Sequence, residues 1–366
     1  MQLLIQKFCQ ENKNWEEILE KEPYYIKIKK DNGYVLFMYT LGLTDFSVPL
    51  CKECRGIILD ELNNFKPVCV PFYKFFNFGE PYADEIDWDS AEVQEKVDGS
   101  LCKLWYGRDG ELVLSTNGTI YADKTECVNI YKNNLSFGDL IREAMPSSVS
   151  IPANATHMFE LTSKYNKILV EYESEPRLTY LGSRKFDTLE EYQDPCLKKF
   201  FKVPKLYKLK NLEEVKQVCA QITDLSEEGF VVVDKNFNRI KVKSPYYVAV
   251  AHTVTKVSSF NGVIKLLKNE EVDEILTYLP KEEIKKVKEV QNNLTSIAKV
   301  ISMVFYHYNK IEDQKEFALQ VKNYPYNSLL FKKRKNPNIK IYNELLGMND
   351  KKLKELYENF LEEGSI

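Results

Sequence analysis

The spacing of apolar residues changes near Ser258, and that change divides the chain into two kinds of structure. Up to about residue 250, short runs rich in β-branched and aromatic residues alternate with turn signals. Tyr34–Tyr39, Gly56–Leu59, Leu112–Leu114, Met158–Phe159, Leu178–Leu181 and Gly229–Val233 are such runs. Helical stretches interrupt them, notably Asn211–Gln221, where Leu212, Val215 and Val218 fall on one face. The pattern is α+β and lacks the regular strand–helix alternation of a doubly wound sheet. After Ser258, the stretches Phe260–Leu279, Pro280–Tyr308 and Asp350–Leu361 carry apolar residues at helical spacing, with Lys and Glu between them. Ile284, Val287, Val290, Leu294, Ile297 and Ile301 form one stripe, which reads as helix core. The sequence therefore predicts a first domain over 1–253 and an all-helical domain over 254–366.

Composition limits the functions available. A formal net charge of −3 gives no global positive field, so any nucleic-acid contact must use a local basic surface. Charge interrupts Met1–Phe8 too early for a secretory signal, and no run approaches the roughly 18 apolar residues of a membrane span. A soluble cytoplasmic protein without membrane contact is expected, with monomer as the default state. Of eight cysteines, only Cys51 and Cys54 form a C-x-x-C pair, and no second pair follows at zinc-ribbon spacing. Reduced thiols are expected.

The chemistry centres on Glu95-Lys96-Val97-Asp98-Gly99-Ser100. Alone, K-x-D-G would occur by chance in roughly one chain of this size in ten. Its neighbours in order change that weight. Upstream lie Glu53-Cys54-Arg55-Gly56 and Lys74-Phe75-Phe76-Asn77. Downstream come Phe159-Glu160-Leu161, Leu181-Gly182-Ser183-Arg184, Glu228-Gly229-Phe230-Val231-Val232 and Ile240-Lys241-Val242-Lys243-Ser244. Lys241 and Lys243, two apart on a strand, point to one face.

This ordered set resembles the covalent nucleotidyltransferases, and within them the phage type 1 RNA ligase family, from the start of the chain to past residue 270. The resemblance implies an adenylation domain built on mixed and antiparallel sheets, followed here by helices. It implies an ATP-dependent RNA ligase in which Lys96 becomes adenylated. Arg55, Lys74, Tyr39, Gly99 and Glu160 are then ATP-binding residues, Glu160 at the ribose hydroxyls. Glu228 orients metal-bound water near the α-phosphate, Lys241 and Lys243 hold phosphates, and Tyr247 matches a tyrosine the family needs for activity. Asp273 matches an aspartate for a second metal; its alternative is a surface carboxylate beside Glu270, Glu271 and Glu274. Mg²⁺ is the implied ion, with Mn²⁺ able to substitute, held mainly through ATP phosphates and water.

The chemistry fits those residue types. A lysine of pKa about 10.4 is protonated at neutral pH and cannot attack phosphorus. Neighbouring cations disfavour its charged form and also neutralise the triphosphate. One departure stands out: where relatives carry lysine in an S-K-G-S context, this chain reads Ser115-Thr116-Asn117-Gly118-Thr119. For RNA contact the candidate is Lys332-Lys333-Arg334-Lys335, although such a run also suits a solvated loop.

The resemblance implies RNA partners with single-stranded or loop ends, transfer RNA among them. Within the same superfamily, DNA ligases and capping guanylyltransferases usually continue into a β-rich OB-fold, whereas helical spacing follows here. The branch that seals duplex nicks tends toward K-x-H-G, whereas Asp98 stands in this chain. The remaining alternative is a catalytically inactive nucleotide- or RNA-binding module, since fold alone does not establish activity.

Overall fold

The computed structural model describes residues 2–40, 42–125, 135–166, 168–170, 172, 175–255, 259–268, 276, 279 and 281–362. The chain forms two compact units, Met1–Val250 and Ala251–Ile366. The division falls inside the helix Pro245–Thr255.

Three sheets build the first unit. The first contains β1 (Ile26–Asp31), β2 (Tyr34–Tyr39), β3 (Arg55–Asp60) and β4 (Lys66–Cys69), all antiparallel. Strand alternation gives it two apolar faces. Val35, Phe37, Tyr39, Ile57 and Leu59 pack with Leu3, Ile5, Trp15 and Leu19, while Leu36 and Ile58 pack with Trp105 and Val113. Buried Glu53 accepts hydrogen bonds from the Leu4 and Ile5 amides, the open N-terminus of the helix Leu4–Glu11. Cys51 and Cys54 lie in the same core as free thiols, and burial pushes the Cys51 thiol up to about 12.

The second sheet has the order β11 (Glu191–Tyr192), β10 (Arg177–Lys185), β9 (Ala155–Thr162), β7 (Ser100–Tyr106), β8 (Leu112–Thr116). The third has the order β12 (Leu206–Tyr207), β6 (Glu92–Glu95), β13 (Gly229–Val233), β14 (Arg239–Lys243), β5 (Phe76–Asn77). Only the β14–β5 pairing of the third sheet is parallel. Val93, Phe230, Val232, Ile240 and Val242 bury one face of this sheet against Val215 and Cys219 of the helix Leu212–Ala220. By alternation, Arg239, Lys241 and Lys243 share the other face. The expected strands are all present, several of them longer than their apolar runs.

In the second unit every regular element described is helical, as the spacing after Ser258 predicts. The long helix Lys281–Tyr308 packs against Phe260–Leu267, Gln314–Val321, Asn327–Lys335, Ile341–Leu346 and Asp350–Glu362. Within the expected stripe, Val287, Leu294, Ile297 and Ile301 are buried and Ile284 and Val290 half-buried. No described helix is long and apolar enough to cross a membrane.

Phe230 has no exposed surface, and its ring meets Tyr207 edge-on with centroids 4.8 Å apart. Phe230→Ala is expected to destabilise the first unit by about 3–5 kcal/mol, read from its denaturant midpoint. A loss under about 1 kcal/mol would contradict the packing described.

Candidate active site

Lys96 follows β6, and its backbone amide donates to the Gly229 carbonyl at 2.9 Å, which sets it beside the start of β13. Its side chain is only 12% exposed, and its Nζ donates to Glu228 Oε2 at 2.7 Å. Glu228 is buried; its other oxygen, Oε1, lies 2.5 Å from Lys243 Nζ. That second contact is an ion pair by distance but lacks hydrogen-bond alignment, leaving Oε1 with no directed donor. One carboxylate thus serves two ammonium groups. The resemblance gave Glu228 a role toward metal-bound water; in the structure its carboxylate contacts the Lys96 amine itself.

Asp98 ties the nucleophile turn to its surroundings. Its Oδ2 accepts from the Leu169 and Val170 amides at 3.0 and 2.9 Å, and its Oδ1 accepts from the Tyr247 hydroxyl at 2.8 Å. The Asp98 amide donates to the Tyr172 hydroxyl at 2.9 Å. Burial pushes the Asp98 carboxyl up to about 6, with the Glu228 charge adding to the effect. Tyr247 reaches Asp98 because Pro245 starts a helix directly after β14 and Ser244 Oγ accepts from the Tyr247 amide. Lys243 Nζ also lies 5.3 Å from the Tyr247 ring centre. Gly99 follows in the same turn because a Cβ there would stand 2.3 Å from the Leu161 carbonyl oxygen and 3.1 Å from Glu160 Cγ. The motif glycine therefore lets the turn close on β9, with Glu160 beside it.

The other expected residues form two aromatic-centred groups. Phe75 gathers the Arg55 guanidinium at 5.3 Å, Lys241 Nζ at 4.9 Å and the Arg239 guanidinium at 6.0 Å from its ring centre. Lys74 alternates with Phe75 and points into a different cage, 5.0 Å from the Tyr39 ring centre, 5.2 Å from Phe76 and 5.9 Å from Phe46. Tyr39 and Lys74 are together, in a group of their own. Asp273 lies outside the described residues.

The basic run is not a loop. Lys332, Lys333, Arg334 and Lys335 form the last turn of the helix Asn327–Lys335, where cations suit the helix dipole. Lys332 pairs with Glu344 at 2.7 Å, and Lys333 donates to the Pro337 and Ile339 carbonyls. Arg334 donates to the Glu312 carbonyl and stacks over Phe317. Three of the four cations thus work within the second unit.

Sequence reasoning gave no role to Asp98, Tyr172, Phe75 or Arg239. Short spacing was the available signal: Lys96 and Asp98 are two apart, and Arg239 continues the Lys241–Lys243 alternation. No group of three or more His, Cys, Asp or Glu suited to a metal occurs among the described residues. Glu228 is the buried carboxylate beside the nucleophile, and its Oε1 is held by Lys243 at 2.5 Å rather than by an aligned hydrogen bond.

A family model described as RNA ligase matches residues 53–247, over half the chain. The chain belongs to the phage-type RNA ligase family. It is 29% identical over 367 residues to a protein of Autographa californica nuclear polyhedrosis virus named as a bifunctional polynucleotide kinase/RNA ligase, covering 93% of this chain and 51% of that one. The chain thus spans about half the length of that relative. An RNA ligase of Rhodothermus phage RM378 is 24% identical over 387 residues, covering 86% of this chain and 87% of the phage protein. A solved archaeal ATP-dependent RNA ligase aligns with a TM-score of 0.45 at 13% identity, covering 81% of this chain and 82% of that one.

The Tyr247 hydroxyl stabilises the ionised Asp98 carboxyl, so Tyr247→Phe is expected to raise the Asp98 value above about 6 in an NMR titration. Because folding raises this carboxyl, its contribution to stability is present at low pH and lost as pH rises through about 6. An unchanged titration in the variant would contradict the clamp.

Proposed function

We propose that this chain is an ATP-dependent RNA ligase that takes AMP onto Lys96 and uses it to join an RNA 5′-phosphate to a 3′-hydroxyl. The observation that carries the reading is the buried group of Lys96, Glu228 and Lys243, with Lys241 beside Lys243 on the same strand face. It stands within the segment that the RNA ligase family matches.

In the first step the neutral Lys96 amine attacks the α-phosphorus of ATP. A nitrogen–phosphorus bond forms, the bond to the bridging oxygen breaks, and pyrophosphate leaves. For this, Lys96 must give up its hold on Glu228 and release a proton to water, and a second amine proton passes to water as the nitrogen–phosphorus bond forms. Lys241 and Lys243 favour the neutral amine and hold the phosphate oxygens as negative charge develops. Arg55, Lys74 and Tyr39 bind ATP, and Glu160, beside Gly99, receives the ribose hydroxyls. Asp98 and Tyr247 keep the nucleophile turn in place. Glu228 would hold Mg²⁺ directly or through water, and the ion would supply positive charge to the phosphates. AMP then passes from Lys96 to the RNA 5′-phosphate, and attack by the 3′-hydroxyl releases it. With Asp98 in the nucleophile motif, single-stranded or loop ends are the proposed substrates, including broken transfer RNA, with Lys332 to Lys335 as the proposed RNA contact.

Lys96→Ala is expected to abolish labelling of the protein by α-labelled ATP while still joining pre-adenylated RNA to a 3′-hydroxyl, because that donor already carries the activated phosphate. Label that persists on the denatured variant would remove the assignment.

A further inference from the structure

Lys103, in β7, has no exposed surface, and the mechanism above does not use it. The side chain shares a strand face with Leu101 and Trp105 and reaches the start of β3, where Nζ donates to the Gly56 carbonyl at 2.5 Å. Gly56 has φ +79°, a conformation that favours glycine. A Cβ at Gly56 would stand 2.5 Å from the Asn117 carbonyl oxygen, 2.8 Å from Asn117 Oδ1 and 3.0 Å from Lys103 Nζ. The ammonium, the Asn117 carboxamide and the turn that launches Arg55 therefore meet in one place. Two buried atoms there, Arg55 NH1 and Asn117 Oδ1, have no hydrogen-bond partner among the described residues.

We propose that Lys103 is a positioning residue for ATP: it holds the Gly56 turn so that Arg55 faces the triphosphate, and its ammonium supplies there the positive charge that the neighbouring Asn117 lacks. The inference rests on the ligase reading above. Three observations carry it. The ammonium is bound to the backbone of the R-G motif itself. The neighbouring Asn117 supplies no charge. The Arg55 guanidinium next in sequence retains a buried donor suited to an anion. The strand pairing accounts for their closeness, because Lys103 sits opposite Ser115 and Cys102 opposite Thr116, so β7 and the end of β8 address the same spot. A lysine placed at position 117 would therefore bring its charge to the same turn.

The test compares the rate and ATP dependence of lysine labelling in wild type, Lys103→Met, and Lys103→Met combined with Asn117→Lys. Replacement of a buried ion by an apolar side chain of similar size is often tolerated by a fold, so the single variant is expected to be folded. It should need at least tenfold more ATP for half-maximal labelling, and the added Asn117→Lys should recover most of that loss. A packing role for Lys103 predicts no such recovery, because a charge at position 117 restores nothing to the interior between the sheets. Labelling of Lys103→Met at the wild-type rate and ATP dependence overturns the inference and leaves the ligase reading intact. A double variant no better than the single one, whether through misfolding or inactivity, also overturns it. Absence of label on the wild-type protein is the distinct result that removes the ligase reading and this inference with it.

Discussion

The Glu228 carboxylate, shared by Lys96 and Lys243, is the interaction on which the rest of the first unit depends. A carboxylate buried to this degree is costly unless cations compensate it, and removing one partner of such a pair typically costs about 3–5 kcal/mol. Two ammonium groups at 2.7 and 2.5 Å supply that compensation. The arrangement also fixes the position of Lys96, since its backbone is bonded to Gly229, the residue after Glu228. Placement and charge are therefore set by the same short segment.

Strand alternation explains why so many cations can stand together without disrupting a core. The third sheet buries its apolar residues on the helix Leu212–Ala220 and keeps Arg239, Lys241 and Lys243 on the other face. Phe75, on the segment leading into β5, inserts an aromatic ring among Arg55, Arg239 and Lys241, separating like charges with a surface that attracts each. Asp98 performs the complementary task on the nucleophile turn, where two amides and Tyr247 converge on one buried carboxylate.

Much of this was legible in the sequence because it depends on local rules. The change of apolar spacing near Ser258 separates sheet-forming from helical chain, and the two-residue interval between Lys241 and Lys243 places both on one face. Pairings between distant residues were not legible. Lys96 and Glu228 stand 132 positions apart, and nothing in either neighbourhood announces that a carboxylate will hold the nucleophile. The same limit hid the cage of Tyr39, Phe46 and Phe76 around Lys74, and the reach of Lys103 across to Gly56. For the basic run near residue 332 the sequence offered an RNA contact or a solvated loop and missed the helix, because a short helix before Pro337 carries little periodic signal, while its terminal cations are those a helix C-terminus favours.

The central claim is that Glu228 holds Lys96 as a placed ammonium in the resting protein, and that the amine becomes nucleophilic when that hold is released among the neighbouring cations. The most direct measurement is the titration of the Lys96 amine by NMR of isotope-labelled lysine, in wild type and in Glu228→Gln. The account predicts a lower titration midpoint in the variant, where Lys241 and Lys243 act on Lys96 without the opposing carboxylate. An identical or higher midpoint would contradict it.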